Sequence, residues 1–98
     1  MKITKKKNGT ALEIALEGRL DTTTAPELEK EIKESLDGVT ELTLDFGALE
    51  YISSAGLRVL LLAQRTLHGK GKVKVTHCNE IVKEVFEVTG FADVLTII

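Results

Sequence analysis

Two adjacent serines, Ser53 and Ser54, lie between a strand-like segment and the most apolar helical segment of this 98-residue chain. A helix that begins here presents unpaired backbone N–H groups and the positive end of its dipole. Both features suit a capping serine, worth about 1 kcal/mol, and both suit a phosphate. The residues therefore leave two interpretations open: Ser54 is only a helix cap, or it is a site where phosphate is attached and removed.

Other residues capable of chemistry do not assemble into a site. His68 and His77 fall on different predicted elements, with no cysteine or carboxylate at the spacing of a metal site. Cys78 lacks a partner that would activate a thiolate. The run 69–72, Gly-Lys-Gly-Lys, lacks the spacing and the Ser or Thr of a phosphate-binding loop. We expect no catalytic residue, no metal and no cofactor, and therefore no enzyme.

Composition excludes several further classes of function. The net charge is −2 and the pI is about 5.7, which argues against nucleic-acid binding. A single cysteine fits a reducing compartment, and no apolar run approaches the ~20 residues of a membrane span. No signal peptide is visible, so the cytoplasm is the expected location. The polar residues Arg58, Arg65 and His68 predict a monomer when the protein is free, with no large apolar dimer patch.

Alternation of apolar and polar residues predicts five strands. They cover about 2–7, 10–17, 40–46, 72–77 and 94–98. The first two are expected to form a hairpin closed at Asn8-Gly9, because both residues tolerate positive φ. The third is expected to end in a short turn that leads to Ser54.

Three amphipathic helices are predicted between the strands. They run from Ala25-Pro26 to a stop at Asp37-Gly38, from about 54 to 68, and from about 80 to 89. The expected N-caps are Thr24, Ser54 and Asn79. The second helix has the broadest apolar surface and should be the central one. The third should turn four residues inward: Ile81, Val82, Val85 and Phe86.

The element order ββαβαβαβ predicts the fold class. Alternating helices and strands imply parallel neighbours joined by right-handed crossovers. The strands alternate in polarity, which places the helices on one face only. We therefore expect an α/β fold with a single mixed sheet that starts with a hairpin. The outer face would carry acids on two strands and lysines on another: Glu13, Glu17, Glu41, Asp45, Lys72 and Lys74.

Three sequence patches resemble one known family. Residues 45–57, DFGALEYISSAGL, resemble the signature of the anti-sigma-factor antagonists, the STAS domain family. Residues 18–21, Gly-Arg-Leu-Asp, resemble its Gly-x-Leu/Ile-Asp loop, and Phe86-x-x-Thr89-Gly90-Phe91 resembles its third-helix ending. The patches occur in the family's order, and the length matches a single stand-alone STAS-like domain over residues 1–98.

The resemblance implies a cytoplasmic bacterial regulator that works by partner switching. The unphosphorylated antagonist would bind an anti-sigma factor that is also a serine kinase, and so release the sigma factor for transcription. Phosphorylation would break the complex, and a metal-dependent serine phosphatase would restore it. The resemblance places the phosphate on Ser54, with Ser53 as the alternative acceptor. It places the partner-binding surface on seven residues: Asp21, Thr22, Ser53, Ser54, Ala55, Gly56 and Arg58.

The chain departs from the family pattern at two positions of this signature. The family usually has Asp before the acceptor, where this chain has Ser53, and Ser or Thr after it, where this chain has Ala55. Loss of the Asp removes a negative charge from the kinase-facing loop. An alternative follows: a constitutive interaction or scaffold module in a signalling or lipid-transport assembly, without a phosphorylation switch. Gly56, with no side chain, would permit close backbone approach near the acceptor.

Overall fold

The computed structural model describes residues 1–98 as one five-stranded mixed sheet with three α-helices. Strand order is β1-β2-β3-β4-β5, with β1 and β2 antiparallel and every later pair parallel. This confirms the predicted fold class and its N-terminal hairpin. The elements are β1 Lys2–Asn8, β2 Ala11–Leu20, α1 Ala25–Ser35, β3 Glu41–Ile52, α2 Ser54–Leu67, β4 Lys72–Thr76, α3 Glu80–Thr89, a 3₁₀ turn Phe91–Asp93 and β5 Thr96–Ile97.

The core lies between one face of the sheet and the helices. Every second residue of the three central strands is buried there: Leu12, Ile14, Leu16, Leu42, Leu44, Phe46, Val73 and Val75. The alternate residues carry charge on the opposite face, where Lys74 pairs with Glu41. The hydrogen bond from Lys74, together with its charge, lowers the pKa of the Glu41 carboxyl. Period-two alternation thus predicted both faces correctly.

The main departure from the predicted elements is the length of β3. It was expected to end at residue 46 and runs on to Ile52. The extra residues pair with the end of β2 through two irregularities, between Ala15 and Glu17 and between Gly18 and Arg19 on β2. At each irregularity β3 has one more residue than β2. The extra residue disturbs the alternation of buried and exposed side chains, which is why the sequence predicted a turn in this segment. Leu49 and Ile52 consequently join the core.

The hairpin loop and the last strand also differ in detail. Asn8 still pairs with Ala11 inside the ladder, so the hairpin loop is Gly9-Thr10, and Gly9 alone has positive φ, at 65°. The last strand was predicted from residue 94. It covers only Thr96–Ile97, because the preceding residues form the 3₁₀ turn.

Helix α3 has the expected N-cap, but one of the residues predicted for its inner face is exposed. The Asn79 side chain accepts a hydrogen bond from the backbone N–H of Val82 at 2.8 Å, which confirms the predicted cap. Val82 and Phe86 are buried, and Phe86 stacks on Phe46 with ring centroids 6.3 Å apart. The prediction that Ile81 also points inward is wrong: the residue is 57% exposed.

Candidate functional site

The start of α2 lies at the edge of the sheet where β2 and β3 end. Because β3 extends to Ile52, the chain turns into the helix within one residue. Ser53 is that residue: it is extended, at φ −101° and ψ 177°, and holds the N-cap position. Ser54 is the first helical residue, so the prediction that Ser54 is the cap is wrong by one position. The Ser53 hydroxyl accepts no hydrogen bond from the backbone N–H groups of the first turn, so α2 has no side-chain cap.

The two serines differ in their access to solvent. Ser54 is exposed. Ser53 is partly buried, and its Oγ has essentially no accessible surface and no hydrogen-bond partner. A transferase must bring a phosphoryl group in line with the attacking oxygen, so it requires an exposed hydroxyl. The geometry offers the Ser54 hydroxyl for such a reaction and withholds that of Ser53.

A backbone hydrogen bond places the Asp21 loop next to this helix start. The N–H of Ser53 donates to the carbonyl of Leu20 at 2.9 Å, joining the end of β2 to the residue before α2. Leu20 is followed directly by Asp21, which begins the loop to α1. The structure therefore brings together the two segments that the sequence analysis assigned to one surface.

The Asp21 carboxylate stabilises that loop through hydrogen bonds. Its Oδ1 accepts from the Thr23 hydroxyl at 2.7 Å, from the Thr23 N–H at 3.0 Å and from the Thr24 N–H at 3.2 Å. These bonds, led by that of the Thr23 hydroxyl, lower the pKa of the Asp21 carboxyl. Thr24 has the predicted cap position, but its hydroxyl donates to the Arg19 carbonyl and accepts from the Asp21 N–H instead of capping α1. Asp21 therefore contributes a negative charge, 3.9 Å from Arg19 Nε, in the loop next to the start of α2.

Gly56 is buried beneath the site rather than displayed on it. An added methyl group would lie 2.7 Å from Leu20 Cγ and 2.8 Å from Ile52 Cγ1. Both distances are well inside the ~3.5–4.0 Å at which carbon atoms pack comfortably. The close approach expected of this glycine is therefore made to the ends of β2 and β3. Because Gly56 has no side chain, the first turn of α2 can pack directly against the sheet.

A shallow groove between α1 and α2 borders Ser54. It has a volume of about 180 Å³, and its lining combines predicted and unpredicted residues: Thr22, Ala25, Pro26, Glu29, Ala55, Arg58 and Val59. Arg58 is exposed and takes part in none of the ion pairs, whereas Glu29 pairs with Lys33 at 3.3 Å. Three of the seven predicted partner-binding residues, Thr22, Ala55 and Arg58, thus share one concave surface. Pro26 and Glu29 were not predicted, because they were interpreted only as helix-start and solvent-side residues.

A second cleft at the same edge was missed by the sequence analysis. Arg19 lies over the ring of Tyr51, 4.6 Å from its centroid, and both line a cleft of about 570 Å³ with Asn79 and Ile81. The two residues are direct neighbours in the parallel ladder. The sequence could not show this pairing, since it depends on the two irregularities in the register of β2 and β3.

The remaining reactive residues lie apart from the start of α2. His77 Nδ1 lies 3.1 Å from Asp45 Oδ1, a pair that the sequence analysis did not foresee, and His77 has positive φ at 59°. No group of three or more potential metal ligands occurs. Burial raises the pKa of the Cys78 thiol, which keeps it protonated and unreactive at neutral pH. None of the three helices combines the length and the hydrophobicity that a membrane span requires.

The fold, with a serine pair at the start of α2, belongs to a known family of domains. A family model described as Mlab, STAS domain matches residues 3–97, and the chain belongs to the STAS domain family. A relative from Bordetella bronchiseptica is 37% identical over 99 residues, covering 99% of this chain and 85% of its own. That relative, BtrV, carries a provisional name as an anti-sigma factor antagonist.

Solved structures reproduce the architecture at lower identity. An anti-sigma factor antagonist from Mycobacterium paratuberculosis aligns with a TM-score of 0.89 and 22% identity, over 98% of this chain and 83% of its own. The antagonist SpoIIAA in its unphosphorylated form gives 0.78 and 18%, over 99% and 87%. The phosphorylated form of Bacillus SpoIIAA gives 0.77 and 19%, over 99% and 91%. At these identities the likeness establishes the fold.

Proposed function

We propose that this protein is an anti-sigma-factor antagonist switched by phosphorylation of Ser54. Unphosphorylated, it binds an anti-sigma factor that is also a serine kinase, and thereby regulates sigma-factor-dependent transcription. The observation that carries the proposal is the exposed Ser54 hydroxyl at the first position of α2, beside a Ser53 hydroxyl that is closed to solvent. This contrast favours Ser54 over Ser53 as the acceptor.

The electrostatics of the site explain how one phosphate could release a partner without unfolding the domain. A phosphoserine carries about −1.5 to −2 charges at pH 7. At the start of α2 the helix dipole and free N–H groups favour that charge, so the fold tolerates it. In a complex the same charge would lose its water and lie near the Asp21 carboxylate. The complex would therefore pay a cost that the free protein avoids.

Two relatives support the proposal. BtrV, at 37% identity, bears the anti-sigma factor antagonist name. SpoIIAA, which shares the fold, has been solved in both unphosphorylated and phosphorylated forms. We extend these roles to this chain together with the implied partners: the kinase, and a metal-dependent serine phosphatase that removes the phosphate. In this proposal residues 1–98 act as one non-enzymatic domain, and the partner contacts Asp21, Thr22, Ala55 and Arg58.

The first experiment tests the acceptor. The protein is incubated with its cognate kinase and ATP, the intact mass is measured, and the site is mapped by fragmentation. We expect one added phosphate on Ser54, complete loss of it in Ser54→Ala, and unchanged incorporation in Ser53→Ala. Absence of phosphate from both serines would show that the protein is not regulated by phosphorylation at this site.

The second experiment tests the consequence for binding. Immobilised kinase should capture the wild type and Ser54→Ala but not Ser54→Asp. Asn8→Asp is a matched control, since it adds the same charge at an exposed residue of the hairpin, at the opposite end of β2. Capture of Asn8→Asp at the wild-type level, with loss for Ser54→Asp, locates the effect at α2. Equal loss in both variants would attribute it to net charge instead.

A second candidate function rests on Ser53 occupying the position where the family usually has Asp. A constitutive interaction or scaffold module, in a signalling or lipid-transport assembly, would need no phosphorylation. It predicts that Ser54→Asp leaves partner binding unchanged. The same capture experiment therefore separates the two candidates.

A further inference from the structure

Helix α3 displays apolar side chains to solvent. Ile81 is 57% exposed and Val88 is 79% exposed, with the partly buried Val85 between them. Their spacing of i, i+4 and i+7 places the three on one side of the helix. Single exposed aliphatic residues need no explanation, but an aligned row on one helix is typical of a helix-binding surface.

The row lies on a well-anchored helix and extends into a cleft. Val82 and Phe86, on the adjacent side of α3, are buried against the sheet, and Asn79 ties the helix start to the Leu49 carbonyl at 3.1 Å. Ile81 lines the cleft of about 570 Å³ together with Tyr51 and Ala48. The apolar row therefore leads from Val88 along α3 to a cleft of mixed lining, in which Arg19, Glu50 and Asn79 accompany the apolar residues and which could receive a bulky side chain.

Uncompensated acids border this row. Glu84 and Glu87 are exposed and take part in no ion pair, while Glu80 lies 4.0 Å from Lys83, the only base on α3. The helical positions of the three glutamates put them together on one flank of the apolar row. Two copies of this face packed as an antiparallel pair would set these flanks against each other, which disfavours a second copy. A cationic partner would neutralise them.

We propose that the α3 face, defined by Ile81, Val85, Val88 and the flanking Glu84 and Glu87, is a second docking surface that binds a lysine- or arginine-rich amphipathic helix of a partner protein. The apolar residues of that helix would pack on the row, its most bulky side chain would enter the cleft beside Tyr51, and its basic residues would pair with the glutamates. Ser54 is not among the residues that form this surface or line its cleft.

The test uses the full chain and a designed probe. The probe is a fluorescein-labelled helical peptide with leucines at i, i+4 and i+7 and lysines on both flanks; its twin has glutamates in place of the lysines. Anisotropy titrations should show binding of the lysine peptide at least tenfold tighter than that of its twin, weakening as salt increases. Backbone amide shifts in NMR spectra should cluster on residues 79–89 and 48–51.

Variants assign the binding to this face. Val88→Ser and the double change Glu84→Lys, Glu87→Lys should each weaken the lysine peptide at least fivefold. Ile98→Ser is the matched control, since it removes another exposed aliphatic side chain, 68% exposed, outside α3; it should leave binding unchanged. Circular dichroism confirms that each variant is folded.

Three outcomes would overturn the proposal. The first is equal binding of both peptides or no binding. The second is amide shifts that fall on the α1–α2 groove instead. The third is concentration-dependent self-association in sedimentation velocity that Val88→Ser abolishes, which would make a second copy the occupant.

Discussion

Replacing Gly56 with alanine tests whether the first turn of α2 is seated by close packing. The added methyl would meet Leu20 Cγ at 2.7 Å, Ile52 Cγ1 at 2.8 Å and Leu20 Cδ2 at 3.0 Å. All three neighbours belong to residues that are at most 1% exposed, so they have little room to move. Overpacking of this kind costs about 1–3 kcal/mol. The higher helix propensity of alanine offsets up to ~1 kcal/mol.

The expected net effect is a loss of about 1–2 kcal/mol in the free energy of unfolding. For a domain of this size that corresponds to a decrease of roughly 4–16 °C in Tm. Urea denaturation followed by circular dichroism measures the first quantity, and thermal melting measures the second. The slope of the urea transition should stay unchanged, since the substitution alters packing and not the surface exposed on unfolding.

A double-mutant cycle with Leu20→Ala makes the reasoning specific. Leu20→Ala alone should cost about 2–5 kcal/mol, because it empties a fully buried position. In its presence the contacts with Leu20 Cγ and Cδ2 are removed while the contact with Ile52 Cγ1 remains, so Gly56→Ala should cost less than in the wild type, with a coupling of about 1 kcal/mol or more. A Gly56→Ala variant that is more stable than the wild type by the full helix-propensity gain would show that α2 is not held this close to the sheet. Additive effects in the cycle would show that Leu20 is not the obstacle.

Three further substitutions have definite expected outcomes. Asn79→Ala should lower stability by about 1–2 kcal/mol in urea denaturation, because it removes the cap of α3 and the link to β3; Asn79→Asp, which keeps the cap acceptor, should lose less. The pKa of Asp21 is lowered in the folded protein, so its stabilising contribution is present above the unfolded pKa of about 3.9 and disappears as pH falls through the folded value. Asp21→Asn should therefore show a shallower acid-induced loss of stability below about pH 4, and an unchanged slope would contradict this role. The pKa of Cys78 is raised by burial, so its contribution is complete below the unfolded pKa of about 8.5 and is lost as pH rises through the folded value. Cys78→Ala should remove part of the decline in stability above about pH 8.5, and a decline identical to that of the wild type would exclude the thiol as its source.

The order of elements was predictable because it depends on local periodicity. Residues such as Leu12, Ile14 and Leu16 alternate with polar neighbours, and period two is enough to assign a strand with one buried face. Capping is equally local, so the Asn79 cap and the end of α3 at Thr89 followed from the sequence. Where the ladder becomes irregular, between Asp45 and Ile52, periodicity fails and β3 was predicted six residues too short.

The candidate site was predictable in its location but not in its details. The helix start at Ser53-Ser54 is encoded by a strand followed at once by an apolar helix. Which serine is accessible depends on how α2 is set on the sheet, and only the structure shows that the Ser53 hydroxyl is enclosed. The same holds for Ile81, which was predicted to be buried: helical periodicity identifies an apolar row, but not whether another element covers it.

The sequence by itself determined the order of strands and helices, from which the mixed sheet was inferred, and the presence of a serine pair at the start of the central helix, since each strand, helix and cap depends on residues close together in the chain. The tertiary structure decided which groups meet: the Ser53 N–H and the Leu20 carbonyl, Gly56 and the side chains of Leu20 and Ile52, Arg19 and the Tyr51 ring. Apart from Gly56 and Ile52, which are neighbours along the chain, these contacts join residues 30 or more positions apart, and they depend on the register between β2 and β3. A register shift of one residue turns every side chain to the other face, so it is fixed only when the whole sheet and its helices pack together.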